Sequence, residues 1–385
     1  MSTNGVPFIK GFAGIGVALA LLLAAAYSLS WSPLTTFLLK AGLLLDVGAV
    51  CLLSGVRWLW GKEAASRCLS RVILLGCSLS AAFVGGELVT RYAFRDVTTT
   101  DDNGSYFARK WNRAHVTLNP AGFRERVYSA KPRVDVIRVA VVGDSFTFGQ
   151  GVDVENRFSN LLERRLNRSR HEVEVLNFGR PGAESADHVR TLEQSVLPAN
   201  PNGVLLQWLM NDLEDDKSER PRQIPLWPHW TERVLVERSA LFYLASRAWT
   251  QAQPRLLDQK SYWEYMRERF PSASAPAFQE ALSHMDAFFQ LCNRHGIHVA
   301  VILFPNMAPS LSTGQYEFAY LHDIVREFCR SRGIPVVDLL PFYAKASATT
   351  ELRLSRLDNH PGPSAHALAA DWIDSSLATT IYSWR

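Results

Sequence analysis

Ile137 to Val142 reads IRVAVV, an apolar and mostly β-branched run. Such a run suits a strand buried on both faces of a parallel sheet. It leads directly into GDSFTFG, Gly143 to Gly149. Gly143 permits a tight backbone there, Asp144 and Ser145 are small and polar, and an amphipathic helix pattern (FSNLLERRLN) begins at Phe158. A serine at such a turn projects from the carboxyl edge of the sheet, where open α/β folds bind their ligands. By itself G-D-S is equally well a strand-to-helix turn with capping residues. The rest of the chain has to decide.

Downstream, strand and helix patterns alternate. Strands are predicted at Val173–Asn177, Val204–Leu209, Ile297–Phe304 and Ile334–Leu339, and helices at Ser185–Leu197, Ala277–Arg294, Tyr316–Arg332 and about Ser364–Thr380. This rhythm implies α/β architecture, a parallel sheet with helices on both faces. Three further segments carry residues suited to serine chemistry. LNFGRPG (Leu176 to Gly182) closes the second strand, LMND (Leu209 to Asp212) closes the third, and DNHPGPSAH (Asp358 to His366) opens the last helix.

These four blocks in order resemble the SGNH hydrolases, or GDSL esterase and lipase family, from about Asn119 to the C-terminus. The resemblance implies a three-layer, flavodoxin-like sheet and a serine esterase mechanism. It assigns Ser145 as nucleophile, His360 as base and Asp358 as the group that orients the imidazole. It assigns the oxyanion donors to the backbone N–H of Ser145, the backbone N–H of Gly182 and the side-chain amide of Asn211. Gly179 is the fallback for Gly182, and His366 is the rival base. Asp144 and Asp212 are read as holding their loops. One departure stands out: familiar members place the aspartate three residues before the histidine, where this chain has Leu357, and Asp358 stands two before. No cofactor is implied, and no Cys or His spacing matches a zinc site.

The first ninety residues differ in composition. Residues 12–31, 34–60 and 72–93 are apolar runs, each about long enough to cross a ~30 Å hydrocarbon core, and three transmembrane helices are expected. The second loop carries Arg57, Lys62, Arg67 and Arg71 against Glu63, while the first carries no charge, so the second loop should be cytoplasmic and the remainder extracytoplasmic. That topology holds even if the first run is a cleaved signal peptide. Asp46, the acid deepest in an apolar run, faces either a bundle or partner protein or the membrane interface. Residues 1–91 contain seven Lys or Arg and three acids, a surplus of four that equals the whole-chain net charge of +4. The soluble part is therefore neutral, which argues against a nucleic-acid surface.

Residues 94–135 are read as a linker and packing segment: Asp96 to Asn119 joins the membrane region to the domain, and NPAGFRERVYSAKP packs under the sheet. The domain proper is placed at 136–385, with an aromatic-rich insertion at about 215–276 following the asparagine block. Its Trp227, Trp230, Trp249, Tyr262 and Trp263 either pack among themselves, or stack on sugar rings, contact an acyl chain or rest at a membrane surface. Of the five cysteines, Cys292 and Cys329 lie in the soluble part and could pair in an oxidising compartment, provided their Cα atoms come within ~7 Å.

The expected protein is an inner-membrane, multi-pass serine esterase acting on acyl esters, acetyl among them, of an envelope glycan or lipid. Its partners would be that acylated substrate, membrane lipids and a membrane protein. Two alternatives stay open: an O-acyltransferase passing the same acyl group to a polysaccharide hydroxyl, and a non-catalytic glycan-binding scaffold.

Overall fold

The computed structural model describes residues 62–385 except 169–171, 215–216 and 312. The expected membrane spans at 12–31 and 34–60, with Asp46, lie outside the described residues. In chain order the elements begin with α1 (Lys62–Ala93), α2 (Tyr106–His115), β1 (Val136–Gly143), α3 (Ser145–Phe148) and α4 (Phe158–Leu166). Then come β2 (Glu172–Gly179), α5 (Ser185–Thr191), β3 (Gly203–Trp208), α6 (His229–Arg238), α7 (Ala240–Leu256) and α8 (Tyr262–Arg269). The last third holds α9 (Pro276–Arg294), β4 (His298–Leu303), α10 (Ala319–Arg330), β5 (Val336–Asp338), α11 (Leu340–Ala346), β6 (Arg353–Ser355), β7 (Asp358–Pro361) and α12 (Pro363–Tyr382).

The chain divides into two compact units. Among the described residues the first comprises 62–95 with Trp227–Arg247, and the second comprises Asp96–Leu226 with Ala248–Arg385. In the first, Ser70–Ala93 of α1 is one helix long and apolar enough to cross a membrane. Leu74, Leu79 and Val89 are each more than half exposed. One acid in this helix is buried: Glu87 accepts hydrogen bonds from Ser239 Oγ at 2.6 Å and from the amides of Ala240 and Leu241 at 3.0 Å each. It also pairs with Arg91. The carboxylate thus satisfies amides at the start of α7 that have no partner within that helix.

The second unit is built on a five-stranded sheet in the order β2-β1-β3-β4-β5, with every neighbouring pair parallel. Helices flank it in packed pairs, α4 with α12 and α5 with α9, giving the three-layer α/β fold. All eight residues of β1 are buried. That includes Arg138, whose guanidinium is answered by Glu174 on β2 at 2.6 Å and by the carbonyl of Ser129 at 2.9 Å. A buried cation persists only with such partners. Because β2 lies on one side of β1 and β3 on the other, the chain leaves β1 and β3 in opposite directions. The crevice between their carboxyl ends is where this strand order takes ligands.

Three expectations change. Asp358–Pro361, expected only to lead into the last helix, is a strand: β7 pairs antiparallel with β6, while α12 starts at Pro363, next to the expected Ser364. Pro361 and Pro363 account for this, since proline disfavours helix in the residue before it yet suits the first helical position. The segment read as a link is folded: Thr99, Thr100 and Ser105 are fully buried, as are Phe107 and Trp111 of α2. Cys292 and Cys329 are free and buried, and burial pushes both thiols up to about 12. They form no disulfide.

Candidate active site

The turn after β1 is fixed from three sides. Asp144 caps α3 by accepting the Phe146 amide at 2.8 Å, and its own amide donates to Gln207 Oε1 of β3 at 3.1 Å. Gln207 also receives the Thr147 hydroxyl at 2.9 Å. Below the turn, Arg124 is buried and donates to the carbonyls of Gly149 at 2.8 Å and Val152 at 3.0 Å, with its guanidinium over Trp111. Here is the role of the GFR stretch: it braces the loop that follows Ser145. Arg124 falls in the NPAGFR stretch and Gln207 inside the apolar run Val204–Leu209, but the sequence gives neither a role, because each is defined by what another segment brings to it.

Ser145 is the first residue of α3, 7% exposed. Its Oγ lies 2.8 Å from His360 Nε2, and His360 Nδ1 lies 2.5 Å from Asp358 Oδ1. The two-residue spacing that departs from the family pattern is explained by β7. In an extended strand alternate residues share a face, so Asp358 and His360 project to the same side without a bend. Asp358 is fully buried; it accepts the His360 amide at 2.9 Å and the Thr99 hydroxyl at 2.7 Å. Burial alone would raise its pKa, but the adjacent imidazole and these hydrogen bonds hold it below the usual carboxylate value.

For His360 burial opposes the charge. The Asp358 carboxylate and its hydrogen bond, then Asp101 and Asp144, outweigh that and lift the imidazole to about 9. When neutral, with Nδ1–H donating to Asp358, its Nε2 can accept the proton of the Ser145 hydroxyl. His366 sits apart. Its Nδ1 accepts the Phe158 amide at 3.2 Å, the ring stacks on Phe158, and burial, followed by the charge of Arg157, pushes its pKa down to about 3.

Gly182 and Asn211 line, with Ser145 and His360, one cavity of about 370 Å³. Gly182 is left-handed at φ 78°, with open space where a side chain would begin, so its main chain is reachable from the cavity. Gly179 is not: a Cβ there would meet the Phe148 backbone nitrogen at 2.2 Å, so this glycine serves the packing of α3 on β2. Asn211 donates from Nδ2 to Asp144 Oδ2 at 2.9 Å, leaving its second amide hydrogen for other partners. The turn that carries it is held by Asp212, which accepts the Leu209 amide at 3.0 Å and pairs with His188 Nε2 at 3.2 Å.

The aromatic insertion divides among three environments. Tyr262 and Trp263 line the cavity, in edge-to-face contact with each other. Tyr262 donates to Glu214 at 2.6 Å, and Arg220 clamps the same carboxylate with two hydrogen bonds. Trp249 donates to the Ile224 carbonyl at 2.9 Å, and Trp227 packs edge-on against Phe242. The side chain of Trp230 lies outside the described residues.

Among curated proteins none matches this chain. Among solved structures it is similar to a lipase/acylhydrolase from Enterococcus faecalis, at 16% identity over 63% of this chain and 96% of that one, TM-score 0.39. A psychrotrophic esterase from Pseudoalteromonas sp. is 13% identical over 63% of this chain and 98% of that one, TM-score 0.39. A catalytic mutant of an acetylxylan esterase from Geobacillus stearothermophilus is 12% identical over 63% and 94%, TM-score 0.40. The sequence profile of the GDSL-like Lipase/Acylhydrolase family matches residues 141–368, more than half of the chain and the whole stretch from Ser145 to His360. The chain therefore belongs to the GDSL-like lipase/acylhydrolase family and is a serine hydrolase of the esterase type.

Proposed function

We propose that this protein is a membrane-anchored serine esterase that removes short acyl groups from hydroxyls of an extracytoplasmic carbohydrate. The observation that carries the reading is the unbroken chain from Ser145 Oγ through His360 to Asp358. In the first step the Ser145 oxygen bonds to the ester carbonyl carbon while its proton passes to His360 Nε2. Negative charge develops on the carbonyl oxygen, facing the amides of Ser145 and Gly182 and the Asn211 side chain. Collapse expels the sugar alkoxide, which takes the proton from His360 and leaves an acyl-serine. Water then repeats the sequence: His360 takes its proton, the acyl–serine bond breaks, and the serine oxygen recovers the proton as the carboxylic acid departs.

The carbohydrate assignment rests on the cavity wall. Tyr262 and Trp263 give the wall aromatic surface of the kind sugars pack against, and Asn103, Asn306 and Asn359 bring amide side chains that suit hydroxyls. A long acyl chain would ask for a more apolar wall. Anchoring rests on α1 and on the basic residues at 57–71, which favour a cytoplasmic start and an extracytoplasmic exit.

The test is fluorophosphonate labelling with hydrolysis of p-nitrophenyl acetate by the full chain in detergent. Ser145→Ala should abolish labelling, and Ser145→Ala and His360→Ala should each lower kcat by about 10³-fold or more. Persistent labelling of Ser145→Ala would refute the assignment. A reporter fused after Arg385 that is active only in the cytoplasm would refute the topology.

A further inference from the structure

We propose that the segment joining α1 to the catalytic domain supplies part of the active site itself, with Thr99 positioning Asp358 and Asp101 presenting a second carboxylate to the His360 imidazole. The inference rests on the reading of Ser145, His360 and Asp358 as the reacting groups. Both residues lie outside the family profile, which begins at residue 141.

Asp358 is fully buried and has two oxygens to satisfy. Oδ1 serves the His360 ring and amide, and both bonds come from its own strand. Oδ2 is served by the Thr99 hydroxyl, 259 residues away in sequence, at 2.7 Å. A donor on Oδ2 fixes the plane of the carboxylate, and with it the direction in which Oδ1 meets Nδ1. Thr99 is itself immobilised. Its neighbour Thr100 is fully buried, pairs with Ser105 Oγ at 2.7 Å, and receives Gln150 Nε2 on its carbonyl at 3.2 Å. Gln150 follows the α3 turn, so one short segment touches both the serine side and the histidine side of the site.

Asp101 reaches the imidazole from the solvent side. Its Oδ1 accepts the Asn359 amide at 2.8 Å and stands 3.9 Å from His360 Nδ1, and the residue lines the cavity. The charged groups that act on His360 are then Asp358 on β7, Asp101 on the joining segment and Asp144 at the β1 turn, with the neutral Ser145 hydroxyl at Nε2. A carboxylate at this distance favours the imidazolium formed while Ser145 attacks.

The experiment uses the full chain in detergent with p-nitrophenyl acetate, following kcat, KM, the pH profile of kcat/KM and the thermal melt. Thr99→Val removes the hydroxyl at nearly constant shape; kcat should fall about 10–100-fold with KM within about twofold, a fraction of the ~10⁴ lost when the carboxylate of a triad is replaced. Thr99→Ser, which restores the donor, should return kcat to within about threefold of the parent. Asp101→Asn should move the acidic limb of kcat/KM to lower pH by about one unit, which a merely structural residue would not do. Thr99→Val with kcat within threefold of the parent, or Asp101→Asn with an unmoved limb, overturns the proposal; if Thr99→Val does not fold, the Asp101→Asn limb decides. If Ser145→Ala keeps its activity, the underlying reading fails instead, whatever these variants do.

Discussion

Replacing Arg124 with methionine tests whether the buried guanidinium braces the loop after Ser145. The side chain donates to the carbonyls of His115 at 3.2 Å, Gly149 at 2.8 Å and Val152 at 3.0 Å, with a weaker contact to Phe148 at 3.4 Å. Methionine fills much of the space but donates nothing. Three well-bonded carbonyls left without this donor cost about 2 kcal/mol each, or about 6 kcal/mol in all. Against this, removing a buried cation relieves its desolvation: burial, then repulsion from Arg157, pulls Arg124 down to about 10 from 12.5, a penalty of about 3 kcal/mol. The carbonyls win, and Arg124→Met should lose about 3 kcal/mol. For a domain of this size that lowers the melting temperature by about 6–12 °C. Arg124→Lys keeps the charge without the planar fork and should also fall below the parent. Thermal melts of the full chain in detergent, followed by near-UV circular dichroism, would read this out. A melt of Arg124→Met within about 2 °C of the parent, or above it, refutes the reasoning, because the carbonyls would then be satisfied without the guanidinium.

Other outcomes follow from the same site. His360 accepts a proton only when neutral, so with its pKa lifted to about 9, kcat/KM should be lost as pH falls through that raised value; a midpoint at an ordinary histidine pKa of about 6.5 would contradict the carboxylate environment of Asp358, Asp101 and Asp144. Asn211→Ala should lower kcat by about 10²–10³-fold with little change in KM, as expected for a donor used mainly in the transition state. His366 has its folded pKa depressed to about 3, so between pH 6.5 and 3 the unfolded chain binds the additional proton. Its contribution is therefore complete above about pH 6.5 and is lost as pH falls, by up to about 5 kcal/mol, and His366→Asn should flatten the acid limb of urea-melt stability measured against pH.

The sequence by itself determined the elements and the blocks. Runs such as IRVAVV, and the glycines and prolines that interrupt periodicity, act on their own neighbours, so the strands, their carboxyl-end turns and the helices can be read without the fold. It was the resemblance of those blocks to a known family that marked Ser145, Gly182, Asn211, Asp358 and His360 as candidates; periodicity alone located only the turns that carry them. Strand order, and therefore which turns share a crevice, was decided only in three dimensions. So was the meaning of every buried polar residue: Arg124 and Gln207 became braces, Thr99 and Asp101 moved from a supposed link to the edge of the site, and the aromatic insertion split between the cavity and packing. The reason is physical. Backbone preference is a local property that neighbouring residues express, whereas burying a charge or an amide is tolerable only against a partner, and here the partners lie tens to hundreds of residues away.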